Sequence, residues 1–201
     1  MLAATRADSE WINLLFGYTP VFSPNRTRLA TANSLALNVV ELSTGATTGR
    51  MHNHGPTYLN LPDLIWTDDS SLVLLYLDDS GYALSPIDAD SRVESAAPTP
   101  LGVAFDPDAP SLVRFAGHGP NGEIGIKIAD EASTLIRFFD PASLAEIPDQ
   151  QLVLSPAVES VRLDSYGIGL LWIDDQELWY RSAGGESRSL GTGYTAAWFA
   201  T

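Results

Sequence analysis

Cysteine is absent from all 201 residues, which removes disulfides and thiolate metal sites from consideration and leaves the redox compartment unmarked. Lysine occurs once, at Lys127, and Lys and Arg together number 11 against 25 Asp and Glu, a formal charge of −14. Such a surface repels a phosphate backbone or an anionic bilayer, so neither a nucleic acid partner nor membrane insertion is expected. No apolar run approaches the ~18 residues that a helix needs to cross a bilayer. Residues 1–16 lack a basic start and carry Asp8 and Glu10 ahead of a short apolar stretch, which does not resemble a signal peptide. The chain is therefore expected to be soluble. Its localisation is unknown from the sequence, and an extracytoplasmic one stays open if a longer parent carried a targeting segment. Also missing is any apolar pattern of 3.6-residue period sustained over three turns, which argues against helical and alternating βα folds.

What is present is enough hydrophobic content, 45%, to bury a core in one all-β domain or two small ones. Internal repetition organises that content. Four weakly similar units begin at Gly17, Leu61, Leu101 and Val158, in steps of about 40 to 57 residues, the spacing of four strands and their turns. Approximate boundaries are 17–60, 61–100, 101–157 and 158–192, with residues 1–16 as an N-terminal strand or arm. A partial fifth unit spans 193–201, where Gly193-Tyr194-Thr195-Ala196-Ala197-Trp198-Phe199 repeats the opening Gly17-Tyr18-Thr19-Pro20-Val21-Phe22.

Strands are expected near 20–22, 72–77, 124–128, 170–173 and 177–181, short segments rich in branched or aromatic residues and bounded by Asp, Ser and Gly. Asp79-Ser80-Gly81, Asn121-Gly122 and Ala183-Gly184-Gly185 supply residues that tolerate the positive φ of tight hairpins. An insertion at 138–151, with two prolines, is the one place where a short helical turn is expected. Phe22, Trp66 and Phe105 precede matching turn residues, so they are expected at equivalent, largely buried positions on innermost strands.

The repeated signature is a strand ending in an aromatic, then a Ser, Thr or Asp, then Pro or Asp, then Asp or Asn. It is carried by Phe22-Ser23-Pro24-Asn25, Trp66-Thr67-Asp68-Asp69, Phe105-Asp106-Pro107-Asp108 and, in reduced form, Leu163-Asp164-Ser165. In these residues the chain resembles the WD40-like blades of TolB-like and LpqB-like β-propellers over about residues 17–199. The resemblance implies an all-β, β-propeller-like array of about four four-stranded antiparallel blades, incomplete or closed by a partner. Family members have six or more blades, and the fourth unit here lacks both the aromatic and the proline.

Candidate chemistry is sparse. His52 and His54 stand at i and i+2 and His118 lies in Gly117-His118-Gly119, the one constellation with metal-ligand character. The first pair sits in a Gly/Pro-bounded segment that reads as a loop, where solvated histidines are the plainer reading, and no metal or other cofactor is expected. The pairs Asp68-Asp69, Asp78-Asp79 and Asp174-Asp175 flank strands; neighbours on a strand face opposite ways, so turn capping suits them better than an acid–base dyad. No G-x-S-x-G pentapeptide and no phosphate-cradling glycine pattern occurs, so no catalytic residue is assigned. Trp179 and Tyr180 are adjacent on a strand and must face opposite sides; with Tyr194 and Trp198 they are the interaction candidates.

The expected function is a non-catalytic protein-interaction scaffold whose partner is another protein, or another copy bound through open blade edges. Two alternatives stand beside it. One is the regulatory or substrate-gating propeller of a peptidase or carbohydrate-active enzyme, and the other is a structural subunit of a large assembly such as a virion or envelope complex.

Overall fold

The computed structural model describes residues 18–32, 36–51, 62–91, 96–106, 108, 112–119, 121–130, 132–154, 160–163, 169–174, 177–182 and 187–192. Among the described residues, sixteen strands form four sheets, each a four-stranded antiparallel meander whose neighbours follow chain order. The first sheet holds β1 (Tyr18–Phe22), β2 (Arg28–Ala32), β3 (Ala36–Glu41) and β4 (Thr47–Met51). The second holds β5 (Asp63–Trp66), β6 (Ser71–Asp78), β7 (Gly81–Asp88) and β8 (Thr99–Pro100). The third holds β9 (Leu112–His118), β10 (Ile124–Ala129), β11 (Thr134–Phe139) and β12 (Leu152–Leu154). The fourth holds β13 (Ser160–Leu163), β14 (Gly169–Asp174), β15 (Glu177–Ser182) and β16 (Ser187–Thr192). The expected strands fall within β1, β6, β10, β14 and β15. The insertion forms the β11–β12 connection, and its helical content is the single 3-10 turn Pro148–Gln150.

Residues up to Ala104 and residues from Phe105 form two compact units. In the first unit, alternation along β2 and β3 sends Ala30, Ala32, Leu37 and Val39 to the face that packs on Leu64, Trp66, Leu72 and Leu74 of the second sheet. The alanines leave room for the indole, and the Trp66 Nε1–H donates to the Val21 carbonyl at 3.0 Å, so the ring buries its one polar atom satisfied. In the second unit, Ala116, Ile136 and Phe138 of the third sheet pack with Trp172 of the fourth, and Leu163 and Trp179 border them.

The expected equivalence of Phe22, Trp66 and Phe105 does not hold. Trp66 is 3% exposed, whereas Phe22 is 50% exposed and Val21 takes the inward place on β1. Val21 pairs with Ala30 of the core face, so Phe22, paired with Leu29, shares the opposite face. Phe105 is only partly buried and lies outside any strand, ahead of β9. The residues before it belong to the second sheet, since the Leu101 N–H donates to the Tyr82 carbonyl and the Tyr82 N–H to the Val103 carbonyl.

Candidate interaction surface

Five aspartates, Asp68, Asp78, Asp88, Asp130 and Asp140, build turns. Asp68 accepts from the Ser70 N–H and hydroxyl at 2.7 and 2.8 Å, and Asp78 from those of Ser80 at 2.7 and 2.6 Å. Asp88 does the same with Ser91, while Asp130 accepts from the Ala132 and Ser133 N–H groups and Asp140 from those of Ala142 and Ser143. Backbone N–H donation holds the Asp88, Asp130 and Asp140 carboxyls below the usual carboxylate range. At Asp68 partial burial pushes upward, but hydrogen bonds from Ser70 and Ser71 outweigh it and the net direction is down. The sequence signal is an Asp followed two or three residues later by Ser, a spacing that marks these turns in advance.

Of the paired aspartates, Asp69 turns outward from its own hairpin and accepts the Asn25 N–H at 2.8 Å, joining a turn of the second sheet to one of the first. Arg28 reinforces the same junction through ion pairs to Glu41 at 3.2 Å and Asp90 at 2.7 Å. Asp174 ends β14, and Asp175 lies outside the described residues.

Among the described residues, Glu123 is the one buried carboxylate, at 6% exposure. Burial pushes its carboxyl upward, and donation from Asn121 and Gln150 outweighs that and holds it below the usual range. Its partners, the Asn121 N–H and side-chain amide at 2.8 Å each, make it the post that shapes the β9–β10 hairpin. Arg137 and Glu146 form a bidentate ion pair, with Arg137 Nε donating to Glu146 Oε1 at 2.8 Å, and the guanidinium lies over the Phe139 ring.

His118 is partly buried at the end of β9, opposite Ile124. His52 and His54 lie outside the described residues, as do Tyr194 and Trp198. No group of three or more His, Asp or Glu that could hold a metal ion occurs among the described residues.

The fourth sheet separates the remaining two candidates. Trp179 sits opposite Trp172 in the β14–β15 register, and their rings stack at 6.2 Å between centroids and 15° between planes, against the third sheet. Tyr180 faces the other way and packs, with Leu178, on Leu171 and Ile173. Its register partner on β16 is Arg188, whose guanidinium stands 5.3 Å from the Tyr180 ring centroid. A bulge between Leu178 and Trp179 leaves Leu190 out of the ladder and 51% exposed. Sequence reasoning missed Arg188 and Leu190, because the bulge that places them is a property of the paired strands. On the first sheet, the row Phe22, Leu29, Val40 and Thr47 crosses all four strands on the face turned away from the second; Phe22 is half exposed and Val40 is buried.

No family model and no curated protein matches the sequence. Solved structures do match in fold. A chain described as the dihydro-heme d1 dehydrogenase NirN in complex with DHE superposes with a TM-score of 0.59 at 12% identity, over 89% of this chain and 38% of that one. Porphyromonas gingivalis dipeptidyl peptidase 4 gives 0.55 at 11% identity, over 87% of this chain and 32% of that one. The Dos1 propeller gives 0.55 at 12% identity, over 89% and 48%. The chain thus spans between 32% and 48% of the length of these proteins, and its fold is of the β-propeller type, with the four sheets as blades.

Proposed function

We propose that the chain is a non-catalytic protein-interaction scaffold built from propeller blades of the TolB-like or LpqB-like kind. One observation carries the reading: the far side of the fourth blade offers Leu178, Tyr180, Arg188 and Leu190 as a partly exposed strip with an aromatic–arginine pair. Aromatic residues and arginine are the types that anchor protein interfaces, because they bring large contact area with little entropy loss per contact. The blade kinship is supported by the aromatic-led tetrapeptides at the ends of β1 and β5. A second reading, a propeller attached to an enzyme, draws support from two of the three similar structures being described as enzymes.

The test is site-specific photocrosslinking in the source cell. A photoreactive phenylalanine analogue at position 180 is expected to give a discrete adduct with a polypeptide, and the same analogue at the exposed turn residue Asp79 is not. No adduct at 180, or turnover of peptide or glycoside substrates by the purified chain, sinks the scaffold reading.

A further inference from the structure

We infer that Asn121 is a site of covalent self-modification: loss of its side-chain amide nitrogen sets a new carboxylate against the buried Glu123 and undoes the β9–β10 hairpin. The inference stands apart from the scaffold reading above. Two facts converge at this residue. The sequence has seven asparagines, and Asn121 alone is followed by glycine. The same residue donates twice to Glu123, from its N–H to Oε2 and from its side-chain amide to Oε1, at 2.8 Å each, and Glu123 is the one buried carboxylate among the described residues.

Asn121 and Gly122 are both exposed, so water reaches them, and glycine has no side chain to shield its nitrogen. The Gly122 nitrogen bonds to Asn121 Cγ and gives up its proton; the Cγ–Nδ2 bond breaks, and ammonia leaves carrying that proton. Water then opens the cyclic imide at either carbonyl. The product is aspartate or, with the chain rerouted through Cγ, isoaspartate, and a proton is released. The closed hairpin restrains the first step, because the Gly122 N–H is donated to the Gly119 carbonyl at 3.1 Å and Nδ2 is held by Glu123. The reaction therefore proceeds through transient local opening.

Its product opposes reclosure. Where Nδ2 donated to Oε1, a charged acceptor now stands, so Glu123 loses a donor and meets a like charge in a site where burial already penalises ionisation. Isoaspartate also lengthens the main chain by a carbon between the Gly119 N–H and the Glu123 carbonyl, which bond at 2.7 Å in the intact hairpin. Gln150, at the end of the 3-10 turn, donates to the same carboxylate, so the disturbance reaches the β11–β12 connection. Because ammonia departs, the change runs one way: the third sheet keeps its hairpin only while Asn121 is intact.

The full chain is incubated at neutral pH and residue 121 is followed by peptide mass spectrometry. Aspartate and isoaspartate are expected to accumulate there ahead of any change at Asn25, another exposed turn asparagine but one followed by Arg26. Conversion is expected to be about tenfold faster in the urea-unfolded chain, where both restraining hydrogen bonds are gone. Asn121→Asp is expected to raise hydrogen exchange at Gly119 and Gly122 and to lower the melting temperature, and to do so far less beside Glu123→Gln, which leaves no carboxylate to oppose. Should Asn121→Asp not fold, the aged chain, separated by anion exchange on its added charge, carries the same readouts. Conversion at Asn121 no earlier than at Asn25, equal rates in folded and unfolded chains, unchanged exchange in the altered hairpin, or an equal loss in both backgrounds overturns the inference.

Discussion

The second and fourth sheets share strand number, order and direction, yet differ in what their strands bury. In β6 the residues Leu72 to Leu77 are all buried, although successive side chains point to opposite faces, so both faces of that sheet are covered. In β15 Trp179 points inward while Leu178 and Tyr180 on the opposite face are half-buried, and β16 is exposed along its whole length. The amino acids record the difference: an unbroken apolar run where two faces are covered, and Ser-Arg-Ser-Leu-Gly-Thr where cover is missing. The difference lies in the later strands of each sheet, for Leu171, Trp172 and Ile173 of β14 are buried like their counterparts in β6, whereas β15 is half-buried and β16 exposed.

The strongest way to break this comparison is truncation at matched leucines. Leu84 in β7 is 0% exposed and Leu190 in β16 is 51% exposed. Leu84→Ala should cost about 2–5 kcal/mol by urea unfolding, and Leu190→Ala no more than about 0.5 kcal/mol. Equal costs would mean that the two sheets carry equal shares of the core.

Glycine offers a sharper pair. Gly81 and Gly191 have nearly the same torsion, φ +118 and +112, but a Cβ on Gly81 would lie 2.6 Å from the Val103 carbonyl oxygen, and a Cβ on Gly191 meets nothing within 4 Å. Alanine at either position pays the torsional strain of about 1–3 kcal/mol. At Gly81 it must also move the backbone that closes the second sheet, so the melting temperature should fall further for Gly81→Ala than for Gly191→Ala.

Acid probes the comparison from the other direction. Asp68, Asp88, Glu123, Asp130, Asp140 and Glu146 are all held below their ordinary range, so the unfolded chain binds more protons than the folded one as pH falls. Their contribution is complete above the ordinary carboxylate values of about 4 and is lost as pH drops through the lower folded values. None of these six belongs to the fourth sheet. Melting temperature should be flat from about pH 7 to 5 and decline below about 4. Hydrogen exchange in acid should rise first at the turns of the second and third sheets, and Glu146→Gln should flatten the decline. A flat profile to about pH 2 would discard this assignment of the turns.

The smallest effect carries an unusual sign. Ser85 Oγ is fully buried on β7, opposite Leu74, and has no hydrogen-bond partner among the described residues. Ser85→Ala should leave stability unchanged or raise it by up to about 1 kcal/mol, because it removes an unsatisfied hydroxyl from the interior. A clear loss in calorimetry would reveal a partner for that hydroxyl.

The meander was legible in the sequence because its signals are local: apolar runs such as Leu72 to Leu77, and turn residues such as Asp79-Ser80-Gly81. The opposed roles of Trp179 and Tyr180 followed from strand alternation alone. Facing was harder. Phe22 and Trp66 occupy the same place in their motifs, but Phe22 pairs with Leu29, seven residues on, and Trp66 with Leu72, six residues on, so they land on different faces, and no composition reports that. The Phe105-Asp106-Pro107-Asp108 motif resembled a strand end and instead precedes β9. Arg188 over Tyr180 and the outlying Leu190 depend on a bulge between two strands, which single-chain pattern reading does not contain.

The chain-order arrangement of every sheet bears on how the protein comes into being. Because β5 through β8 run from Asp63 to Pro100 without borrowing a strand from elsewhere, all the pairing partners of that sheet emerge from a ribosome in succession. Loop closures are short, so assembly proceeds by quick hairpin additions and needs no slow search for a distant strand. A nascent chain can finish one sheet while the next is still being translated, which shortens the time for which sticky strand edges stand uncovered.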